Sequence, residues 1–382
     1  MPNLFKRRHT SQGRHTPNLR SIWLVAPLAL IAVGLLAFAL YQGADALLTS
    51  ENTTKTPVDV QDVIKATVTV ITLMGAVLAG VYAYRKQLLS EGDSHRADAS
   101  QLAERYTTAA EQLGHEQAAV RLAGVYAMAR LADDWPEQRQ VCVDVLCAYL
   151  RMPYQPVQEA SGFKHGEREV RLTIIKIIRN HLRNGGDQTS WSQCQFDFTG
   201  AIFDGGSFAR ASFQRPVSFE SAKFVDGYID FTLAEMKHST FAKASFSGGS
   251  VRFGGTGFIA HAGAVPYSFE QADFCGSQVL FERLRSIDRV SFGDAHFRGG
   301  TVIFKGSHFA GNPENETVDD FLENEVAFER ARFSDGAVKF ISCDFGHLSV
   351  IFRNAEYSGG TVEFENLAIA PGAEIHWGPF PQ

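Results

Sequence analysis

From Phe196 to Ile369 the apolar positions recur in one phrase: an apolar residue, one spacer, Phe, two spacers, a small residue, one spacer, Phe. It is clearest in Val326-Ala-Phe-Glu-Arg-Ala-Arg-Phe333, Val338-Lys-Phe-Ile-Ser-Cys-Asp-Phe345 and Val350-Ile-Phe-Arg-Asn-Ala-Glu-Tyr357, whose starts lie twelve residues apart. Within a phrase the aromatic positions are five apart, as in Phe198, Phe203, Phe208 and Phe213, which suits neither a helical stripe nor an alternating strand. Five residues instead make one short side of a square coil. The Phe points inward, and the small residue two before it (Ala201, Ala211, Ala222) fills the gap beside it. Polar spacers point outward, and Gly248-Gly249, Gly299-Gly300 and Gly359-Gly360 supply positive φ at corners. Such a chain winds into a solenoid in which each coil buries its Phe row on the next. Since 27 of the 30 phenylalanines lie at or after Phe196, this pattern sets the fold of that half of the chain.

Fourteen units start near 196, 206, 217, 229, 239, 251, 267, 279, 290, 302, 326, 338, 350 and 362. Two units per coil predict seven coils, a rod of roughly 34 Å at about 4.8 Å per strand spacing. Two insertions interrupt the count: Ile259–Pro266, and Gly311–Glu325 with six acids and no base. Insertions in a solenoid emerge as loops on one face.

Upstream, the pattern changes. Twenty-four residues between Arg20 and Asp45 carry no charge, and Ala66–Tyr84 adds nineteen more, so each predicts a membrane-spanning helix. Ala44-Asp-Ala46 imitates a signal cleavage site, and whether segment 22–41 is ever removed stays open. Lys6, Arg7, Arg8, Arg14 and Arg20 precede the first span, Arg85 and Lys86 follow the second, and the intervening loop is mostly acidic. This charge bias predicts both termini in the cytoplasm, making the chain a multi-pass protein of the cell membrane. Apolar residues at three- and four-residue spacing predict four further helices, Ala99–Leu113, Gln117–Ala132, Glu137–Arg151 and Glu167–Leu182. The last of these, followed by Trp191, is placed to cover the first coil, whose edge otherwise invites association. Glu116–Leu122 and Gly166–Leu172 both run polar residues into Val-Arg-Leu, as helix-pair repeats of the HEAT and armadillo type do.

The expected organisation is therefore a basic cytoplasmic N-terminus (1–20), a first span (21–42), a short external loop (43–64) and a second span (65–85). A helical neck (86–189), the coil region (190–370) and a tail (371–382) follow. The fold class is a membrane-anchored α plus all-β solenoid: a two-helix transmembrane hairpin, a small helical domain and a β-helix.

The paired Phe and small-residue columns over roughly residues 190–370 resemble the pentapeptide-repeat proteins, whose coils form a right-handed quadrilateral β-helix. The departure is the twelve-residue unit, two pentapeptides plus about two residues, which predicts extra corner residues or an irregular coil. Glu104-Arg-Tyr-Thr-Thr-Ala-Ala-Glu-Gln-Leu-Gly114 and Val120-Arg-Leu-Ala-Gly-Val-Tyr-Ala-Met-Ala-Arg130 are similar to the segment preceding the repeats in membrane-tethered pentapeptide-repeat proteins of actinobacteria. That resemblance implies architecture and no activity.

Net charge is −6, but residues 190–382 hold 24 acids against 15 bases. An acidic rod argues against direct nucleic-acid binding, because phosphates need neutralising cations. Five scattered cysteines without a CxxC motif indicate neither zinc nor a disulfide framework, and Cys343, in a small-residue position, is expected buried and inert. Gly255-Thr-Gly-Phe-Ile-Ala260 matches a dinucleotide fingerprint but falls inside the repeat, and Ser161-Gly-Phe-Lys164 lacks the companion motifs of acylating enzymes. His238, His296, His308 and His347 fall at spacer positions, as do Glu220, Glu270, Asp273 and Glu329. Outward groups on a convex rod lack the enclosed pocket that acid–base catalysis requires. No catalytic, cofactor-binding or metal-ligating residue is nominated, and no cofactor is expected. The chain reads as a cytoplasmic protein-interaction scaffold whose partners are the membrane, through two spans, and an unidentified cytoplasmic protein. A homo-oligomer through Trp377–Phe380 stays open. The alternative, which the family resemblance implies, is a DNA-mimicking regulator of the topoisomerase gyrase. Acids lining whole faces would mark the mimic, and mixed charge the scaffold.

Overall fold

The structure is a computed structural model. It describes residues 60–183, 187–237, 239–259, 267–283, 290–307, 328–344, 352–369 and 377–380, with nine positions between 27 and 42. Two compact units divide the chain, Met1–Ala103 and Glu104–Gln382.

In the first unit the nine described positions of the first expected span are all helical. Helix α1 (Val60–Leu113) contains the second expected span and the first neck helix without a break, so the expected boundary at 85/86 falls inside one helix. It also takes in the last five residues of the expected external loop. Within α1, Val68–Gln87 is long and apolar enough to cross a membrane, none of it is buried, and it is the one such stretch among the described residues. The basic N-terminus and the loop as far as residue 59 lie outside the described residues.

In the second unit the helices α2 (Ala118–Asp134), α3 (Arg139–Arg151) and α4 (Glu167–Arg183) match their expected positions within a few residues. A single 3-10 turn, Pro136–Gln138, precedes α3, with Pro136 where the first turn needs no N–H. Val125, Met128 and Ala132 of α2, Val143, Leu146 and Leu150 of α3, and Val170, Ile174, Ile178 and Leu182 of α4 are buried at helical spacing. At Gly124 the crossing with the end of α1 is so close that a Cβ would lie 2.7 Å from the Leu113 backbone nitrogen.

The coil region pairs strictly in parallel. Phe196↔Val217, Val217↔Ser239 and Tyr267↔Val290 run up one side, while Phe203↔Phe224, Phe246↔Phe274 and Phe297↔Phe333 run up the next. Val251↔Val279, Val302↔Val338 and Val338↔Val362 define the third side, and Phe213↔Met236↔Phe258 the fourth. Phe198, Phe203, Phe208 and Phe213 thus occupy the four sides of coil one. Three ring columns follow from this register, from Phe198 to Phe352, Phe203 to Phe333 and Phe208 to Phe364. Their stacked neighbours lie 4.7–5.3 Å apart, the strand spacing itself. Among the described residues seven levels are present, as expected, with the fourth side described in the first three.

The twelve-residue unit has a local cause. From coil two onward, the Phe positions of sides two and three are seven apart (Phe224 to Phe231, Phe246 to Phe253, Phe333 to Phe340), and the two extra residues turn a single corner. Gly227, Gly249, Gly300, Gly336 and Gly360 stand there at φ of 66–85°, each pressed on the backbone of the coil before. A Cβ on Gly249 would sit well inside contact with the Gly227 carbonyl. Gly249→Ala is therefore expected to destabilise by about 2–4 kcal/mol, the sum of left-handed strain and overpacking, measurable by denaturant unfolding.

Two other corners use glycine in three of their described turns, Gly200, Gly255 and Gly306. Eleven non-glycine residues, among them Arg210, Leu233, Lys243, Arg330 and Asn354, take φ of 51–61° two positions after an inner Phe. Eight of the eleven are closed by a turn bond, such as Ala211 N to Phe208 O at 3.0 Å. The next coil adds a second hold, as Leu233 N donates to Gly254 O at 2.8 Å. The expected Gly pairs do stand at corners, Gly248-Gly249, Gly299-Gly300 and Gly359-Gly360 at the first and Gly254-Gly255 at another, but most turns of the other two corners are made without glycine.

Candidate interaction surface

The inward positions are consumed by packing, so any recognition falls to the outward spacers. On side one these are small hydroxyl residues, Ser218, Thr240 and Ser291, each accepting the backbone N–H two residues on at 3.1–3.3 Å. Glu220, Glu270, Asp273 and Glu329 point outward as expected.

Charge on the other spacers is mixed and paired between successive coils. Lys243 meets Glu220 at 3.0 Å, Arg252 meets Glu282 at 2.6 Å, and Arg298 meets Asp273 through both guanidinium nitrogens at 2.6–2.7 Å. Arg330 reaches Asp294 at 2.8 Å, Arg332 reaches Glu356 at 3.3 Å, and Lys339 reaches Glu363 at 2.7 Å. All six pairs step from one coil to the next. Of the 24 acids in residues 190–382, six belong to the segment 311–325, which leaves eighteen against fifteen bases elsewhere. That segment lies outside the described residues, as do His238, His308 and His347 and residues 260–266 of the other insertion.

Arg298 hydrogen bonds hold the Asp273 carboxyl below the usual carboxylate range, and Arg330 does the same for Asp294. The unfolded chain therefore takes up these protons first. Their stabilisation is full above about pH 4, the unfolded carboxylate value, and drains as pH falls through the lower folded values. Thermal midpoints of an Asp273→Asn, Asp294→Asn double variant are expected to fall less steeply than wild type below pH 4.

At the junction of neck and first coil lies a buried ionic cluster. Glu167, 8% exposed, faces Arg121 at 3.2 Å and Arg171 at 3.7 Å, and accepts from the Tyr149 hydroxyl at 2.9 Å. Arg171 donates to the carbonyls of Tyr149 and Leu150 at the end of α3, and its guanidinium lies 4.5 Å over the Tyr154 ring. Burial pulls Arg171 down from its ordinary value and pushes Tyr149 and Tyr154 up. Tyr154 donates to Asp204 of coil one at 2.6 Å, and Arg168 bonds the same carboxylate at 3.1 Å. Ile175 covers Gly206, and Trp191, fully buried, stacks on His181 at 4.0 Å while donating to Asp133. Helix α4 and Trp191 thus sit where the expected cap sits. The cluster itself was missed, although its signal was present: the two Val-Arg-Leu phrases carry its two arginines.

The remaining motifs dissolve into structure. Gly255–Ile259 is a coil corner and strand, with Thr256 turned inward to donate to Phe231 O at 2.8 Å. Ser161 and Lys164 are exposed in the turn before α4. His296 contacts Ser334 Oγ at 3.0 Å. Burial pushes the Cys142 and Cys343 thiols up to about 11 and raises those of Cys147 and Cys194, so none is an activated nucleophile. Among the described residues no group of three or more His, Cys, Asp or Glu is placed to hold a metal. An open groove of about 320 Å³ lies where α3 meets side one, between Asp144 and Thr240.

No family model matches the sequence, and no curated protein matches it. Among solved structures, a trypsin-treated QnrB1, a plasmid-mediated fluoroquinolone resistance protein, is similar at 18% identity over 46% of this chain and 78% of that chain, with a TM-score of 0.14. A score that low carries no weight, and the solenoid assignment rests on the parallel register and ring columns above.

Proposed function

We propose that this chain is a membrane-anchored pentapeptide-repeat protein that serves as a cytoplasmic protein-interaction scaffold without catalytic activity. The observation that carries the reading is the cross-coil pairing of outward charges. It makes the sides rigid and electrically mixed, suited to specific docking by shape and polar complementarity. A duplex mimic would instead present continuous rows of acids.

Two features support the anchoring. Val68–Gln87 is apolar and unburied, and the basic residues flank both spans on one side. Two spans with both termini in the cytoplasm then leave a short acidic loop outside.

Affinity capture from detergent-solubilised membranes tests the reading by comparing the full chain with one lacking residues 190–382. A cytoplasmic protein retained only by the full chain supports the scaffold, and identical retained sets reject it. A supercoiling assay with the compact unit 104–382 covers the alternative: an effect on gyrase at micromolar protein would replace the scaffold with the mimic.

A further inference from the structure

Trp377–Phe380 closes the far end of the β-helix. Trp377 stands edge-on to Phe364, ring centroids 4.7 Å apart at 84°. Phe380, 8% exposed, meets Phe352 and Phe333 at 5.1 Å and Tyr357 at 5.7 Å, all near perpendicular. Two ring columns reach the last coil by parallel stacking, at Phe352 and Phe364, and the third ends at Phe333. Beyond these rings no further parallel partner stands among the described residues, and Trp377 and Phe380 lie edge-on across them, a stop rather than another coil. The turn is tight. Gly378 has φ +58°, and a Cβ there would press on the Phe352 carbonyl.

The stop covers side chains but leaves a backbone edge. The last strand, Thr361–Glu365, pairs with Arg332–Ile341 on one flank, and no described strand pairs with the other. Charged side chains normally guard such an edge. Here Glu356 and Glu363 are drawn to Arg332 and Lys339 in the coil below. Val362, Phe364 and Leu367 are only half-buried even with the stop in place.

We propose that Trp377–Phe380 is a plug that keeps the last coil from stacking end to end on a second copy of this chain. The second copy is the fitting occupant because its own end offers the same ring columns and open strand edge, which complement one another across a twofold axis. This inference rests on the β-helix alone, and failure of the scaffold reading leaves it standing.

The test is light-scattering mass of the full chain in detergent, with the detergent contribution subtracted. A Trp377→Ala, Phe380→Ala double variant is expected at twice the wild-type mass at equal concentration. Trp377→Phe with Phe380→Tyr should keep the wild-type mass. A photo-crosslinker at position 357 should join two copies of the double variant and none of the wild type. Hydrogen exchange over residues 196–305 separates association from unfolding, and the milder Phe380→Leu should shift the mass in the same direction if the double variant unfolds. Unchanged mass, or a loss of mass showing the segment to be an interface, overturns the proposal.

Discussion

Phe241→Ala lowers the stability of the β-helix by about 3–5 kcal/mol, the range for truncating a fully buried aromatic. The size follows from its place in the column. Phe241 is 1% exposed and lies nearly parallel to Phe219 at 4.7 Å and to Phe269 at 4.9 Å. It also meets Phe231 and Phe253 edge-on at 5.9 and 5.4 Å. Removing the ring leaves a void bounded by strands fixed at 4.8 Å spacing, which cannot collapse without losing ladder bonds. Because each coil touches only its neighbours, the loss weakens two interfaces at once. Denaturant unfolding reads the total, and hydrogen exchange should show lost protection centred on residues 217–274. Phe364→Ala, at the half-buried end, is expected to cost distinctly less. Equal costs at both positions would mean the columns are not a continuous core.

Glu167→Ala is expected to be as damaging, at about 3–5 kcal/mol, for an electrostatic reason. It leaves Arg121 and Arg171, 3% and 2% exposed, without their shared counter-ion. It also strips the acceptor from the Tyr149 hydroxyl. Glu167→Gln keeps an acceptor and should cost less. Replacing the three charges together, Arg121→Met, Glu167→Leu and Arg171→Met, should recover most of the loss, since a buried ion triad is worth little against well-packed apolar groups. If Glu167→Ala unfolds no more easily than wild type, the cluster does not hold the neck helices to one another.

The repeat was readable because its inner columns use nearly one letter. Twenty-seven phenylalanines after residue 195 make the five-residue spacing visible without any other signal. The corner that carries the two extra residues was harder to see, because different letters do the same work. Gly248-Gly249, Gly299-Gly300 and Gly359-Gly360 share it with Asp226-Gly227, Gly276-Ser277 and Asp335-Gly336. At the five-residue corners the compositional signal is weak: Gly200, Gly255, Gly306, Asp294, Asn354 and Asn366 suit a left-handed backbone, and the other eight described positions do not. Arg210, Leu233 and Lys243 hold a costly backbone conformation because turn bonds and the neighbouring coil over-determine it.

Other features did not show along the chain. Ser90-Glu-Gly-Asp-Ser-His-Arg96 has no apolar periodicity and the first neck helix is expected only from Ala99, yet α1 runs through it. Backbone bonding sustains a helix that no apolar stripe announces. The ionic cluster was hidden for the opposite reason. Arg121 and Arg171 sit in recognisable repeats, but nothing in a linear pattern says that Glu167 lies between them or that Asp204 receives Tyr154. The sequence leaves open whether Trp377–Phe380 joins two copies; in the structure both rings rest on their own last coil.

Protease added to the outside of intact cells tests the central claim, that the β-helix is tethered beneath the membrane. Residues 86–382 should survive intact, and should be cut only after the cells are permeabilised. Digestion of the coil region in unbroken cells, or its recovery entirely in the soluble fraction, would contradict the account.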